Sequence, residues 1–158
     1  MALSLRRFIP SSGIVTFTMM IKALFHPTVF GATAIAEDGQ GRVLLVRQSY
    51  AQGWRLPGGG VNKGEPPELA VVRELEEEVG LMESTAPEFI GLYSRKVAWF
   101  TNVNALYRLR NVRLQFRPNL EIREVLFCDP AAPPDGTTPA TRRRLAELTG
   151  KVPRSPYW

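Results

Sequence analysis

Residues 58–81 read GGGVNKGEPPELAVVRELEEEVGL, and the rest of the chain is placed around them. Pro66 and Pro67 suit the first turn of a helix, where no backbone N–H is needed. Gly80 suits the residue just past the helix end, where a left-handed conformation is usual. Between them Leu69, Val72, Leu75 and Val79 recur at the three- and four-residue spacing of one helical face. On a helical projection Glu74, Glu77 and Glu78 gather on the opposite side. The spacing predicts a helix with one face for a core and another that collects carboxylates.

The acidic face is unfavourable on its own. Glu74 and Glu78 stand i,i+4, a like-charge arrangement that costs a few tenths of a kcal/mol. Glu76, Glu77 and Glu78 crowd the helix C-terminus, where the backbone dipole prefers cations. Arg73 is the basic residue the helix offers against them. A run of three glutamates is ordinarily a solvated surface. Here the acids are badly placed for a helix and follow a glycine loop at a fixed distance. A hard divalent cation, which takes oxygen ligands, would relieve the repulsion.

The spacing runs Gly59, five residues, Glu65, seven residues, then Arg73-Glu74-Leu75-Glu76-Glu77-Glu78-Val79-Gly80-Leu81. It resembles the Nudix box, and every fixed position of that pattern matches. The flanking Trp54-Arg55-Leu56-Pro57-Gly58-Gly59 resembles the usual entry to the box. One departure is Asn62, where many members carry an acid; it lies outside the fixed positions and bears on loop detail only.

The resemblance implies an α/β Nudix fold, an α/β/α sandwich with a curved, mixed β-sheet. It also implies a Mg²⁺- or Mn²⁺-dependent pyrophosphohydrolase cleaving a phosphoanhydride of a nucleoside diphosphate linked to a group X. X would be a sugar, an ADP-ribose-like group or further phosphate. By position in the box, Glu74 and Glu78 are first-choice metal ligands, with Glu77 assisting or acting as base and the Gly58 carbonyl as a further ligand. Glu65 and Arg73 are expected to form a structural ion pair, with Gly59 and Gly80 as backbone positions. Arg55 faces substrate in this reading, and Trp54 either stacks on a base or packs.

The resemblance also implies a distal acid outside the box, and Glu121 and Glu124 are the candidates. They stand three apart, so a regular strand sends them to opposite faces. Alternation does not choose between them. Position favours Glu121, next to the Asn119-Leu120 turn, where loops shape pockets.

At 158 residues the chain suits one domain with a proper core, and 44% hydrophobic and 22% charged residues are ordinary for a globular protein. We divide it into an N-terminal extension, 1–25, and the domain, 26–158. Cys128 is the one cysteine, which excludes an intramolecular disulfide, and it reads as a small buried hydrophobe. His26, the one histidine, has no Cys or His nearby in sequence, which argues against a zinc site. The net charge is +5. Its densest run, Arg142-Arg143-Arg144, falls in an expected helix and reads as solvated. No basic motif interleaved with aromatics is present, so nucleic acid is not expected as a partner. The stretch 14–25 is apolar but broken by Thr16, Thr18 and Lys22, too short and polar to span a membrane. A packed helix or strand is expected there, in a cytoplasmic protein, with room for a homodimer.

Strands are expected at 29–36 and 42–47, joined by a hairpin through Asp38-Gly39, and at 54–56, 88–95, 97–110 and 121–127. In 97–110, Val103, Ala105, Tyr107 and Leu109 share one face, and Asn104, Leu106, Arg108 and Arg110 a mostly polar one. The segment 112–116 would continue or pair with that strand, and 83–87 is a connector. Thr138 and Pro139 open a last helix to Leu148, and the tail from Lys151 is extended.

Two other classes share the box. An RNA-processing Nudix enzyme is favoured by charge but lacks an extra RNA-binding region. A non-catalytic regulatory module is disfavoured by the intact acids. Among substrates, no proline lies between Pro87 and Pro118, unlike many ADP-ribose-type members. The Ser-Gln-Pro-Trp array of NADH-type members is also absent.

Overall fold

A computed structural model describes residues 12–25 and 27–158. His26 and residues 1–11 lie outside the described residues, so the reading of His26 does as well. The elements are α1 (Ser12–Phe25), β1 (Thr28–Ala36), β2 (Val43–Gln48), β3 (Trp54–Arg55), β4 (Gly58–Gly60) and α2 (Pro67–Val79). After them come β5 (Leu81–Glu83), β6 (Glu88–Val97), β7 (Phe100–Leu109), β8 (Arg113–Leu114), β9 (Ile122–Cys128) and α3 (Pro139–Leu148).

The mixed sheet has two leaves. One has the order β4-β1-β7-β6, with β1 and β7 parallel and the other pairs antiparallel. The other is antiparallel, β3-β2-β9. The expected hairpin at 37–41 forms: Asp38 Oδ1 accepts from the Gln40 and Arg42 N–H groups, each at 2.9 Å, and Gly41 takes φ +75°. Its strands pair only at Glu37 and Val43 and then part into different leaves.

Strand alternation divides the core in two. Ala32, Ala34 and Ala36 of β1, Leu44 and Val46 of β2, and Ala105, Tyr107 and Leu109 of β7 pack with Ala70, Val71, Leu75 and Val79 of α2. Ile35, Val43, Leu45 and Leu106 point the other way and pack with Trp54, Tyr93 and Leu145 of α3. The α/β/α sandwich follows, and the alanines of β1 leave α2 room to approach the sheet. Cys128 is buried in the second cluster, as its surroundings in sequence indicate.

Several expectations are corrected. Leu69 is 59% exposed, and the buried face of α2 is instead Ala70, Val71, Leu75, Glu78 and Val79. The helix is rotated so that its small residues meet β1 and β4, which draws Glu78 from the acidic side to the border of the core. In β7 the supposed polar face holds Leu106, 1% exposed, because α3 covers that side. The expected strand 97–110 is broken by a turn at Ala98-Trp99, where Ala98 takes φ +48°. β8 pairs with β5, a strand where a connector was expected to begin. The N-terminal segment is a helix, yet Phe17, Met19, Met20, Leu24 and Phe25 are exposed, so it is not packed as expected. Among the described residues no helix is long and apolar enough to cross a membrane.

Arg142, Arg143 and Arg144 were read as a solvated run; Arg142 and Arg143 are exposed, and Arg144 is not. Arg142 donates to the Thr137 and Pro134 carbonyls, at 3.2 and 2.9 Å. Arg144 is 1% exposed, donates to Glu147 at 2.7 Å, and lies over the Tyr93 ring at 4.1 Å and the Trp158 ring at 5.6 Å. Burial lowers its pKa, against the Glu147 charge that raises it. The extended tail docks on β6: Ser94 N–H donates to Pro156 O at 2.8 Å, and Trp158 N–H to Ser94 O at 3.1 Å.

Candidate metal and phosphate site

The glycine loop and α2 are fitted to one another backbone to side chain. Gly58 takes φ +136°, a conformation that L side chains rarely adopt, and a Cβ there would strike Ala32 O of β1. Its N–H is thereby aimed at α2 and donates to Glu78 Oε2 at 2.9 Å. A Cβ on Gly59 would strike the Glu74 carboxylate, so the glycine leaves the space that this acid occupies. Gly80 caps α2 at φ +67°; its N–H donates to Glu76 O and its carbonyl accepts from Gln115 N–H at 2.8 Å.

Arg73 holds the loop to the helix. Its guanidinium donates to both Glu65 oxygens, at 2.8 and 3.0 Å, and to Gly60 O at 2.9 Å. The same group reaches Glu74 at 2.8 Å and Glu77 at 3.1 Å. Glu65 also accepts from Asn62 N–H at 2.8 Å. The hydrogen bonds from Arg73, then that from Asn62, hold the Glu65 carboxyl down at about 2. The Arg73 pKa is raised in turn, with its hydrogen bond to Glu65 the larger cause and that to Glu74 the next.

Glu78 is the unusual acid. It is 4% exposed. Burial pushes its pKa up to about 7, the Gly58 N–H works against that, and the Glu74, Glu121 and Glu77 charges add to the rise. The Glu121 charge is therefore felt at Glu78. It is also felt at Tyr50, whose pKa rises through burial first and then the Glu121 charge. Glu124 is turned away into an exposed pair with Arg47, at 3.1 Å.

Asn119 went unread as a site residue. Its Nδ2 donates to Glu78 O at 3.0 Å, and its Oδ1 accepts from Glu121 N–H at 3.0 Å and Ile122 N–H at 2.8 Å. One side chain thus pins the loop carrying Glu121 to the end of the helix carrying Glu78. The Asx-turn capacity of an Asn two residues before an acid was the available signal.

The donors fit a hard divalent cation by chemistry, being carboxylate and carbonyl oxygens around an acid whose pKa burial and its neighbours raise. Among the described residues no three Asp, Glu, His or Cys side chains converge as a closed metal shell. Glu74 and Glu77 are engaged by Arg73, and Glu78 by Gly58. Trp54 resolves to packing: it is 8% exposed, under the Arg47 guanidinium at 4.5 Å. Arg55 is half-buried and lines a cleft of about 720 Å³ that also touches Gly58.

Comparison with known proteins identifies the family of the chain. An RNA pyrophosphohydrolase of Xanthomonas campestris pv. campestris (strain B100) is 40% identical over 75 residues, 48% of this chain and 33% of that protein. One from Photorhabdus laumondii subsp. laumondii is 55% identical over 42 residues, 27% of this chain and 24% of that protein. The matched parts cover about a quarter to a third of the length of these curated relatives. Among solved structures, a MutT NUDIX hydrolase from Burkholderia pseudomallei superposes with a TM-score of 0.68 at 25% identity, covering 78% of this chain and 99% of that one. The NUDIX domain family model matches residues 27–149, from the start of β1 to the end of α3, and the chain belongs to that family.

Proposed function

We propose that the protein hydrolyses a phosphoanhydride bond in a nucleoside diphosphate linked to a group X, with a divalent cation, Mg²⁺ or Mn²⁺. The observation that carries this reading is the buried Glu78, held by the Gly58 N–H and within electrostatic reach of Glu74, Glu77 and Glu121. Glu74, Glu78 and the Gly58 carbonyl would hold the ion, with Glu77 beside them. When bound, such an ion neutralises phosphate charge and acidifies water. Glu65 and Arg73 act as scaffold.

Glu121 is the proposed general base. Its carboxylate accepts a proton from water as the water oxygen bonds to phosphorus. The bridging P–O bond breaks, and its electron pair leaves with the departing phosphate oxygen. Positioning by Asn119 serves this role, since a base must lie within hydrogen-bond reach of the water. Arg47 engages Glu124 instead.

A panel of nucleotide sugars, ADP-ribose, dinucleoside polyphosphates and nucleoside triphosphates tests the reading. Turnover of at least one compound with Mg²⁺ or Mn²⁺, abolished by EDTA, is the expected result; full activity in excess EDTA rejects it. Within that assay Glu121→Gln should lower kcat by about 10²–10⁴-fold. A near-wild-type Glu121→Gln would remove it from the mechanism. A second reading, action on RNA 5′ ends, is favoured by the similarity to RNA pyrophosphohydrolases and by the positive charge.

A further inference from the structure

The cleft beside Gly58 is formed by β3, the loop to β4, β6 and the first turn of α3. Three arginines line it, Arg55, Arg95 and Arg143, and no lining residue is acidic. The wall is therefore opposite in sign to the glutamate cluster across Gly58.

These arginines are poorly neutralised. Arg55 Nε is buried with no partner, and its Nη2 reaches only Gln52 O at 3.3 Å. The Arg95 side chain makes no hydrogen bond or ion pair with the described residues. Arg143 Nε stands 3.5 Å from Glu147, an acid already bonded by Arg144 at 2.7 Å, and is 56% exposed. Cations gathered at a cleft without counter-charge attract an anion, and planar guanidinium forks suit phosphate. At about 720 Å³ the space suits a nucleotide-sized ligand and exceeds what one phosphate needs. A neutral sugar there would leave all three charges unmatched.

Resting on the hydrolase reading above, we infer that Arg55, Arg95 and Arg143 hold a third substrate phosphate, beyond the two that the broken bond joins, so that the preferred substrate carries at least three linked phosphates. A nucleoside 5′-triphosphate and a 5′-triphosphorylated RNA end share that chemistry.

The test uses the full chain. Inorganic tripolyphosphate is titrated by calorimetry without metal, against wild type, Arg95→Ala, Arg143→Ala and, as a control of equal charge change, the exposed Arg117→Ala. Arg95→Ala and Arg143→Ala should each weaken binding about ten- to a hundredfold, while Arg117→Ala binds like wild type. With Mg²⁺, Arg95→Ala should raise KM for a nucleoside triphosphate by a similar factor and lower kcat/KM for a nucleotide sugar by a much smaller one. The ratio of kcat/KM for the free triphosphate and a short 5′-triphosphorylated RNA assigns the source. Tripolyphosphate binding that is absent, or equal in wild type and Arg95→Ala, overturns the site, as does an equal loss on both substrates. Arginine-dependent binding without turnover of any substrate rejects the hydrolase reading and leaves the phosphate site standing.

Discussion

The two helices that flank the sheet treat charge in opposite ways. On α2, Arg73 lies at the rim with its side chain 27% exposed and holds Glu65, Glu74 and Glu77 from outside. On α3, Arg144 and Glu147 are sealed, their side chains 0% and 3% exposed, with Tyr93 and Trp158 over the guanidinium. The rim arginine can release its carboxylates to another cation. The sealed pair cannot exchange partners without opening the core. One arrangement keeps charge available for chemistry, and the other spends it on fixing β6, α3 and the tail together.

The largest expected effect lies on the sealed side. Arg144→Ala leaves Glu147 buried without its main partner and should lower stability by about 3–5 kcal/mol, a large part of a domain's total. A urea midpoint unchanged from wild type would break the contrast. Glu78→Gln should show the reverse profile: kcat falls about a thousandfold, as loss of several kcal/mol of ion-mediated stabilisation requires, while the metal-free urea midpoint is not lowered. Simultaneous loss of folding would place Glu78 with the structural charges instead.

Glu65→Gln is expected to be intermediate, lowering the melting temperature by a few degrees at neutral pH. Its pH dependence sharpens the assignment. The Glu65 pKa is lowered from 4.5 to about 2, so the pair's contribution is complete above about 4.5 and is lost as pH falls through about 2. The gap in melting temperature between wild type and Glu65→Gln should therefore close on acidification; a gap that widens contradicts the pair. The smallest effect belongs to Glu124→Gln. Its pair with Arg47 is exposed, so stability should change by less than about 1 kcal/mol. Its kcat should stay near wild type, and a large fall would make it the distal acid in place of Glu121.

Which parts were legible in sequence follows from the range of the interactions. Glu65, Arg73, Glu74 and Gly80 sit in one loop and one helix, so their spacing carries their geometry. The fold class was legible because strand alternation around a helix specifies layers. Leu69 misled because helical periodicity gives a face but not its rotation; that is set by the alanines of β1, far away in sequence. Arg144 misled for the same reason: its burial needs Tyr93 from β6 and Trp158 from the tail. Glu121 and Glu124 could not be separated by alternation, and the structure distinguishes them through Arg47, a residue of another strand. Asn119 was visible as a turn, but its grip on the α2 backbone was not.

The docked tail has one more consequence. β6 is the outermost strand of its leaf, and an uncovered edge of that kind is a template for a strand from another molecule. Ser94 gives its outward N–H and C=O to Pro156 and Trp158, so the chain occupies part of that edge itself. Arg154 adds a bond to Ile90 O of the same strand at 2.8 Å. Residues 154–158 thereby hold part of the β6 edge that another strand would otherwise meet. Proteolytic trimming behind Lys151 should first be felt as a tendency to aggregate, before any change in the chemistry at the glycine loop.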